Sequence, residues 1–217
     1  MDSKMRVVVV AVVLGLAVFA GAFLYMIQKT QGPAPGVERV QAGLVQMYSP
    51  TVGNPEAKVH IVEFLDPACE TCAAFYPHVK QAMAANPDRI RLTVRLVPFH
   101  NGSDEVLKLL WAARKQGKFW EALEAMLANQ GVWTRNHTVL KESIWKPLEN
   151  VGLDMAQLKA DLNAPEIARQ IEQDLKDAKM LKVTQTPEYF VNGRPLPEFG
   201  LQQLQQLIRT ELQAAYR

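Results

Sequence analysis

Val59-His60-Ile61-Val62-Glu63-Phe64-Leu65-Asp66-Pro67-Ala68-Cys69-Glu70-Thr71-Cys72 decides how the rest of this chain is read. Val59, Ile61 and Phe64-Leu65, with β-branched residues at 59, 61 and 62, predict a short buried strand. Asp66-Pro67 ends it. From Cys69 onward, Cys72, Phe75, Tyr76, Val79 and Met83 recur at spacings of three and four, one face of a helix. Cys69 is thus placed at a helix N-terminus, where unpaired backbone N–H groups and the positive end of the helix dipole favour an anion. A thiolate is stabilised there. Cys72, one turn further in, can attack a mixed disulfide formed at Cys69 and release the partner.

Two other readings of the pair stand beside this one: half of a zinc site, or two unrelated core cysteines. Zinc needs about four ligands, usually completed by a second Cys/His pair at similar spacing. Only two cysteines occur in the chain, and His60, His78, His100 and His137 are scattered singly. The strand and helix setting favours redox chemistry, with no metal and no cofactor.

Gly53-Asn54-Pro55-Glu56-Ala57-Lys58-Val59, followed by Ile61-Val62-Glu63-Phe64 and the cysteine pair, resembles the entry to the catalytic domain of DsbA-like thiol:disulfide oxidoreductases of the thioredoxin superfamily. Pro77, eight residues after Cys69, is similar to a thioredoxin helix proline. The resemblance returns at Thr186-Pro187, before a strand and a hairpin, which is similar to the cis-proline loop that faces the cysteines in that family. It implies that Pro187 is cis and that the Thr186 backbone pairs with an extended client peptide by strand addition. It also implies that Glu63, six residues before Cys69, is a buried acid beneath the second cysteine. Such a carboxyl has a raised pKa and exchanges a proton with Cys72.

Glu70 departs from the family pattern. Strongly oxidising members carry proline and then histidine or another large residue between the cysteines, whereas Glu70-Thr71 stands here. A carboxylate beside Cys69 opposes the thiolate and makes a weaker oxidant, unless Glu70 points into water and does little. That tilts the expected direction slightly toward weak oxidant, reductase or isomerase. Thr71 is placed to donate to either sulfur, and Asp66 to cap the helix or add negative potential.

The 217 residues, 48% of them hydrophobic, suffice for a membrane segment and one globular domain of about 150–190 residues. Net charge is +2, without basic runs or interleaved aromatics, so nothing in composition points to nucleic acid as partner. Residues 7–27 lack any charge and are long enough for a transmembrane helix; Lys4 and Arg6 before them favour a cytoplasmic N-terminus. A cleaved signal peptide competes, with small residues at Val18-Phe19-Ala20 and Ala20-Gly21-Ala22, but Phe23-Leu24-Tyr25-Met26-Ile27 prolongs the apolar run. The expected organisation is a cytoplasmic tail and anchor at 1–27, a linker at 28–43 and a catalytic domain at 44–217.

Within that domain, residues 44–48 predict an edge strand and residues 50–55 turns. Ile90, Leu92, Val94, Leu96 and Val97, alternating with Arg91, Thr93 and Arg95, predict the next strand. From 103 to about 183 the period is helical, marked by Val106, Leu109, Leu110 and Ala113, then Phe119, Leu123, Met126 and Leu127, then Leu140, Ile144 and Leu148. A short piece over 153–162 precedes a last helix opening at Pro165, with Ile167, Ile171, Leu175 and Ala178 on one face. Trp111, Trp120 and Trp145 read as core, whereas Trp133, in a loop-like stretch, is the tryptophan expected to touch a client. Asn192-Gly193 signals a hairpin, and Leu201, Leu204, Leu207, Ile208 and Leu212 an amphipathic helix.

The expectation is therefore an α/β, thioredoxin-like fold with an inserted all-helical subdomain, preceded by a transmembrane helix. The activity implied by the resemblance is dithiol/disulfide exchange with client proteins on the periplasmic side of a bacterial inner membrane. A membrane redox partner would recharge the pair. The alternative is a redox-linked client-binding chaperone or a metal-binding module.

Overall fold

The structure, a computed structural model, describes residues 43–217 together with Ala20 and Gly21. Apart from Ala20, Gly21 and Gly43, the expected anchor and linker lie outside the described residues. Among the described residues no helix is long and apolar enough to cross a membrane.

Five strands form the main sheet: β1 (Thr51–Gly53), β2 (Val59–Leu65), β3 (Ile90–Leu96), β6 (Glu188–Val191) and β7 (Arg194–Pro195), in the order β1-β3-β2-β6-β7. β2 and β3 are parallel, Val59 opposite Ile90 and Leu65 opposite Leu96; β6 runs antiparallel to β2, with Glu63 opposite Tyr189. The parallel pair is covered on both faces, so β3 buries Thr93 and Arg95 as well as its alternating apolar residues. Val59, Ile61 and Leu65 face the larger core, shared with α1 (Glu70–Ala85) and with α7 (Leu201–Ala215) through Leu204, Leu207 and Ile208. Val62 and Phe64 face a smaller core with Leu44, Ala178 and Phe190.

The insertion holds α2 (Ser103–Lys115), α3 (Phe119–Ala128), α4 (Gln130–Trp133), α5 (Met155–Asp161) and α6 (Pro165–Met180). Most of its buried apolar residues join the larger core, while Ala178 on α6 belongs to the smaller one. It is not all helical. Thr134–Arg135 (β4) and Thr138–Val139 (β5) make a two-stranded ribbon whose turn residues, Asn136 and His137, have φ of 50° and 58°. Leu140, Ile144 and Leu148 mark successive tight turns ending in a 3₁₀ turn, Lys146–Leu148, rather than an α-helix. Ile144 and Leu148 are buried in the larger core all the same.

Other expectations are corrected too. The edge strand is β1, inside the stretch read as turns, and not residues 44–48. On α6 the buried side includes Ile167, Asp174, Asp177 and Ala178, while Leu175 is exposed. Arg95, one of the polar residues alternating along β3, is fully buried. It donates to Asp174 Oδ1 from Nε and Nη2, to Asp177 Oδ2 from Nη2 at 2.6 Å and to the Gly43 carbonyl from Nη1 at 2.7 Å. The Tyr48 hydroxyl donates to Asp174 and the Gln46 amide to Asp177, so residues 43–48 are tied to α6 as a cap on β3. Burial of such ions is tolerated because each is paired and hydrogen-bonded.

Candidate active site

β2 ends at Leu65, and the Asp66-Pro67-Ala68 turn, closed by the Cys69 N–H donating to the Asp66 carbonyl at 3.0 Å, delivers Cys69 as the cap residue of α1. Both cysteines are free thiols and buried. Asp66 does not cap the helix. Its buried carboxylate accepts from the Ala68 N–H, the His100 N–H, His100 Nδ1 and the Ser103 hydroxyl, stitching this turn to the loop after β3.

The Thr186-Pro187 peptide bond is cis, and the Thr186 carbonyl accepts from the Cys69 thiol at 3.2 Å. The Cys69 thiol is pulled down from 9.0 to about 5. A hydrogen bond from the Cys72 thiol is the largest cause; burial opposes it, and the Thr186 side chain and the Cys72 and Thr71 backbone N–H groups add to it. Thr71 thus acts through its backbone. Cys72 goes the other way, pushed well up by burial, by its bond to Cys69 and by the charges of Glu63 and Cys69. Two thiols one turn apart are thereby made chemically unequal.

Glu63, on β2 and fully buried, accepts from the Tyr189 hydroxyl at 2.9 Å through Oε1, while Oε2 has no partner among the described residues. Burial pushes its carboxyl from 4.5 up to about 8, partly offset by the Tyr189 bond. It is a neutral acid near pH 7 with a free oxygen to carry the proton.

The Glu70 side chain is 58% exposed, its Oε2 lying 3.9 Å from His137 Nε2 at the ribbon tip. The His137 ring stacks on His100, centroids 4.9 Å apart. Gln130, on α4, donates from Nε2 to the carbonyls of Pro67 and Cys69 at 2.7 and 3.0 Å. Nothing in the sequence pattern marked Gln130 or this pairing of histidines; single polar residues in a helical stretch carry no periodic signal. Trp133 is not a client contact: it is fully buried, its Nε1–H donating to the Met126 carbonyl. Phe75 lies between buried Tyr189 and Phe199, stacked on both, and Phe199 is exposed beside the thiols' helix. Among the described residues, no three His, Cys, Asp or Glu side chains are placed to hold a metal ion.

A family model described as thioredoxin matches residues 46–210. The chain is 30% identical to a thioredoxin-like oxidoreductase of Silicibacter pomeroyi DSS-3, covering 78% of this chain and 95% of that one with a TM-score of 0.68. It shares the fold of oxidised BdbD of Bacillus subtilis, at 21% identity, coverage of 76% and 93%, and a TM-score of 0.66. Among curated proteins it is 31% identical over 144 residues to a Na(+)/H(+) antiporter NhaA of Herminiimonas arsenicoxydans, over 66% of this chain. The chain spans only 22% of that protein's length. The chain belongs to the thioredoxin family and has the fold of its DsbA-like thiol:disulfide oxidoreductases.

Proposed function

We propose that this chain exchanges disulfides with client proteins outside the cytoplasm, with Cys69 as the attacking thiol and Cys72 as the resolving one. The observation that carries the reading is the opposite displacement of the two thiols, Cys69 down to about 5 and Cys72 well up. Near pH 7 Cys69 is a thiolate and Cys72 keeps its proton.

In the reducing direction, the Cys69 thiolate attacks one sulfur of a client disulfide; an S–S bond forms there as the client S–S bond breaks and the second client sulfur leaves as a thiolate. Cys72, its proton taken by the ionised form of Glu63, then attacks the Cys69 sulfur and expels the first client sulfur. Two electrons pass from the Cys69/Cys72 dithiol to the client disulfide. Oxidation of a client is the reverse. Thr186 and Pro187 seat the client backbone beside Cys69, and Phe199, stacked on Phe75 of α1, offers an exposed aromatic face against the same helix.

The direction we propose is oxidation of clients. A stabilised thiolate favours the dithiol form and makes the disulfide form a stronger oxidant. Glu70 stands outward in solvent, where its charge is screened, and His137 lies near it, so its opposition to the thiolate is weak. A membrane redox partner would return the pair to its disulfide. Residues 7–27 as an inner-membrane anchor agree with this, as does a domain of this kind joined to a membrane transporter in the antiporter relatives.

The test is equilibration of the full chain with glutathione, beside a C72S variant offered a client disulfide. The expected results are a potential above about −200 mV and a trapped mixed disulfide at Cys69. No trapped adduct in C72S sinks the exchange reading; a potential near about −270 mV reverses the direction.

A further inference from the structure

We propose that Gln130 is a positioning residue of the dithiol site, its side-chain amide holding the Cys69 backbone in place when Cys69 and Cys72 are not bonded to each other. The inference rests on reading the two cysteines as a redox pair. Gln130 comes from the insertion, 61 positions from Cys69, and is 8% exposed. Its nitrogen meets two carbonyl oxygens, of Pro67 and Cys69, one on each side of Ala68. Two acceptors at one end of the amide require the NH₂ group there, each hydrogen serving one carbonyl.

The grip is itself braced. The Gln130 main-chain carbonyl accepts from the Thr134 hydroxyl at 3.2 Å, and the neighbouring Trp133 is buried. The Cys69 carbonyl also accepts the first backbone bond of α1, from the Ala73 N–H at 3.2 Å. Gln130 therefore ties the insertion to the turn that aims the Cys69 sulfur at Thr186.

That tie does not matter equally in the two redox states. In the disulfide state the Sγ–Sγ bond fixes Cys69 covalently to α1 through Cys72. In the dithiol state the Cys69 sulfur is placed only by the backbone beneath it and by non-covalent contacts. Removing the amide therefore costs the dithiol more, and the pair becomes harder to reduce. A merely structural glutamine would stabilise both states alike and leave the equilibrium unmoved.

The experiment measures, for the full chain and its Q130M and T134V variants, the reaction of the dithiol with glutathione disulfide, which yields the protein disulfide and two glutathione thiols. Urea unfolding of both redox forms accompanies it. Q130M keeps the side-chain length without a donor; the expected shift is about tenfold toward the protein disulfide, or about 30 mV lower in potential. The dithiol form should lose correspondingly more stability than the disulfide form. T134V, a milder change that only loosens Gln130, should shift the same way by about twofold to threefold. Equal destabilisation of both forms with an unchanged equilibrium, or a shift toward the dithiol, overturns the inference. If Q130M fails to fold, an unmoved T134V equilibrium overturns it as well. Should the unaltered chain show no reversible equilibrium with glutathione, the redox reading itself falls, a result distinct from a variant that merely matches it.

Discussion

The Cys69 thiol donates to the Thr186 carbonyl across 3.2 Å, joining residues 117 positions apart. This contact places the reactive sulfur against the backbone of the cis-proline loop, at the edge where an extended peptide would lie. The Thr186 side chain is among the groups that lower the Cys69 thiol.

Alkylation of the dithiol by iodoacetamide should report that thiolate directly. With the Cys69 thiol at about 5, the rate should be flat above about pH 6 and fall about tenfold per pH unit below 5. The same shift stabilises the folded dithiol. Its folded value lies below the ordinary 9.0, so the contribution is complete above pH 9 and lost as pH falls through about 5. A rate still climbing between pH 7 and 9 would contradict the site's electrostatics.

Glu63 carries the opposite sign. Its carboxyl ionises at about 8 in the fold and near 4.5 when unfolded, so its burial costs nothing at pH 4 and costs more as pH rises from 4.5 to 8. E63Q should therefore be more stable than the unaltered chain at pH 8, on the order of 4 kcal/mol, and equal to it at pH 4. Resolution of the mixed disulfide should slow by about a hundredfold. Urea unfolding across that pH range and stopped-flow thiol release measure the two effects. A variant that gained stability at pH 4 as well would point to packing instead.

Glu70 should matter less than its place between the cysteines implies. Its side chain is mostly in water and 3.9 Å from His137, so E70Q should move the glutathione equilibrium by less than about threefold. Adding 0.5 M salt should shrink even that effect. A tenfold shift would restore Glu70 as the main control on the pair.

R95M should separate fold from chemistry. It leaves Asp174 and Asp177 buried without their cation, a loss of about 3–5 kcal/mol in urea unfolding. The Cys69/Cys72 equilibrium with glutathione should stay within about twofold, since none of these groups contacts either thiol. A marked change in potential would mean that residues 43–48, held by this cluster, reach the active site.

The tertiary structure changed the weight of several residues. Trp133 looked like a loop residue because Gly131 precedes it, yet α4 turns it inward and its indole N–H finds the Met126 carbonyl. Arg95 alternates with apolar neighbours as a surface residue would, but two aspartates one turn apart on α6 supply the anions that let it be buried. Leu140, Ile144 and Leu148 keep helical spacing through a run of tight turns.

The sequence by itself determined the strand–turn–helix that carries Cys69 and Cys72, the β3 strand, the helix opened by Pro165, the Asn192-Gly193 hairpin and the amphipathic helix at the C-terminus. Those features are local: period, turn residues and capping preferences act within a dozen residues and are written there. Only the tertiary structure decided that the Cys69 thiol meets Thr186, that Gln130 holds the turn before it, that His137 faces Glu70 and that Arg95 is a core residue. Each of these joins single polar side chains far apart in the chain. A buried donor has to find an acceptor wherever the packing brings one, and that partner has no signature in the local pattern.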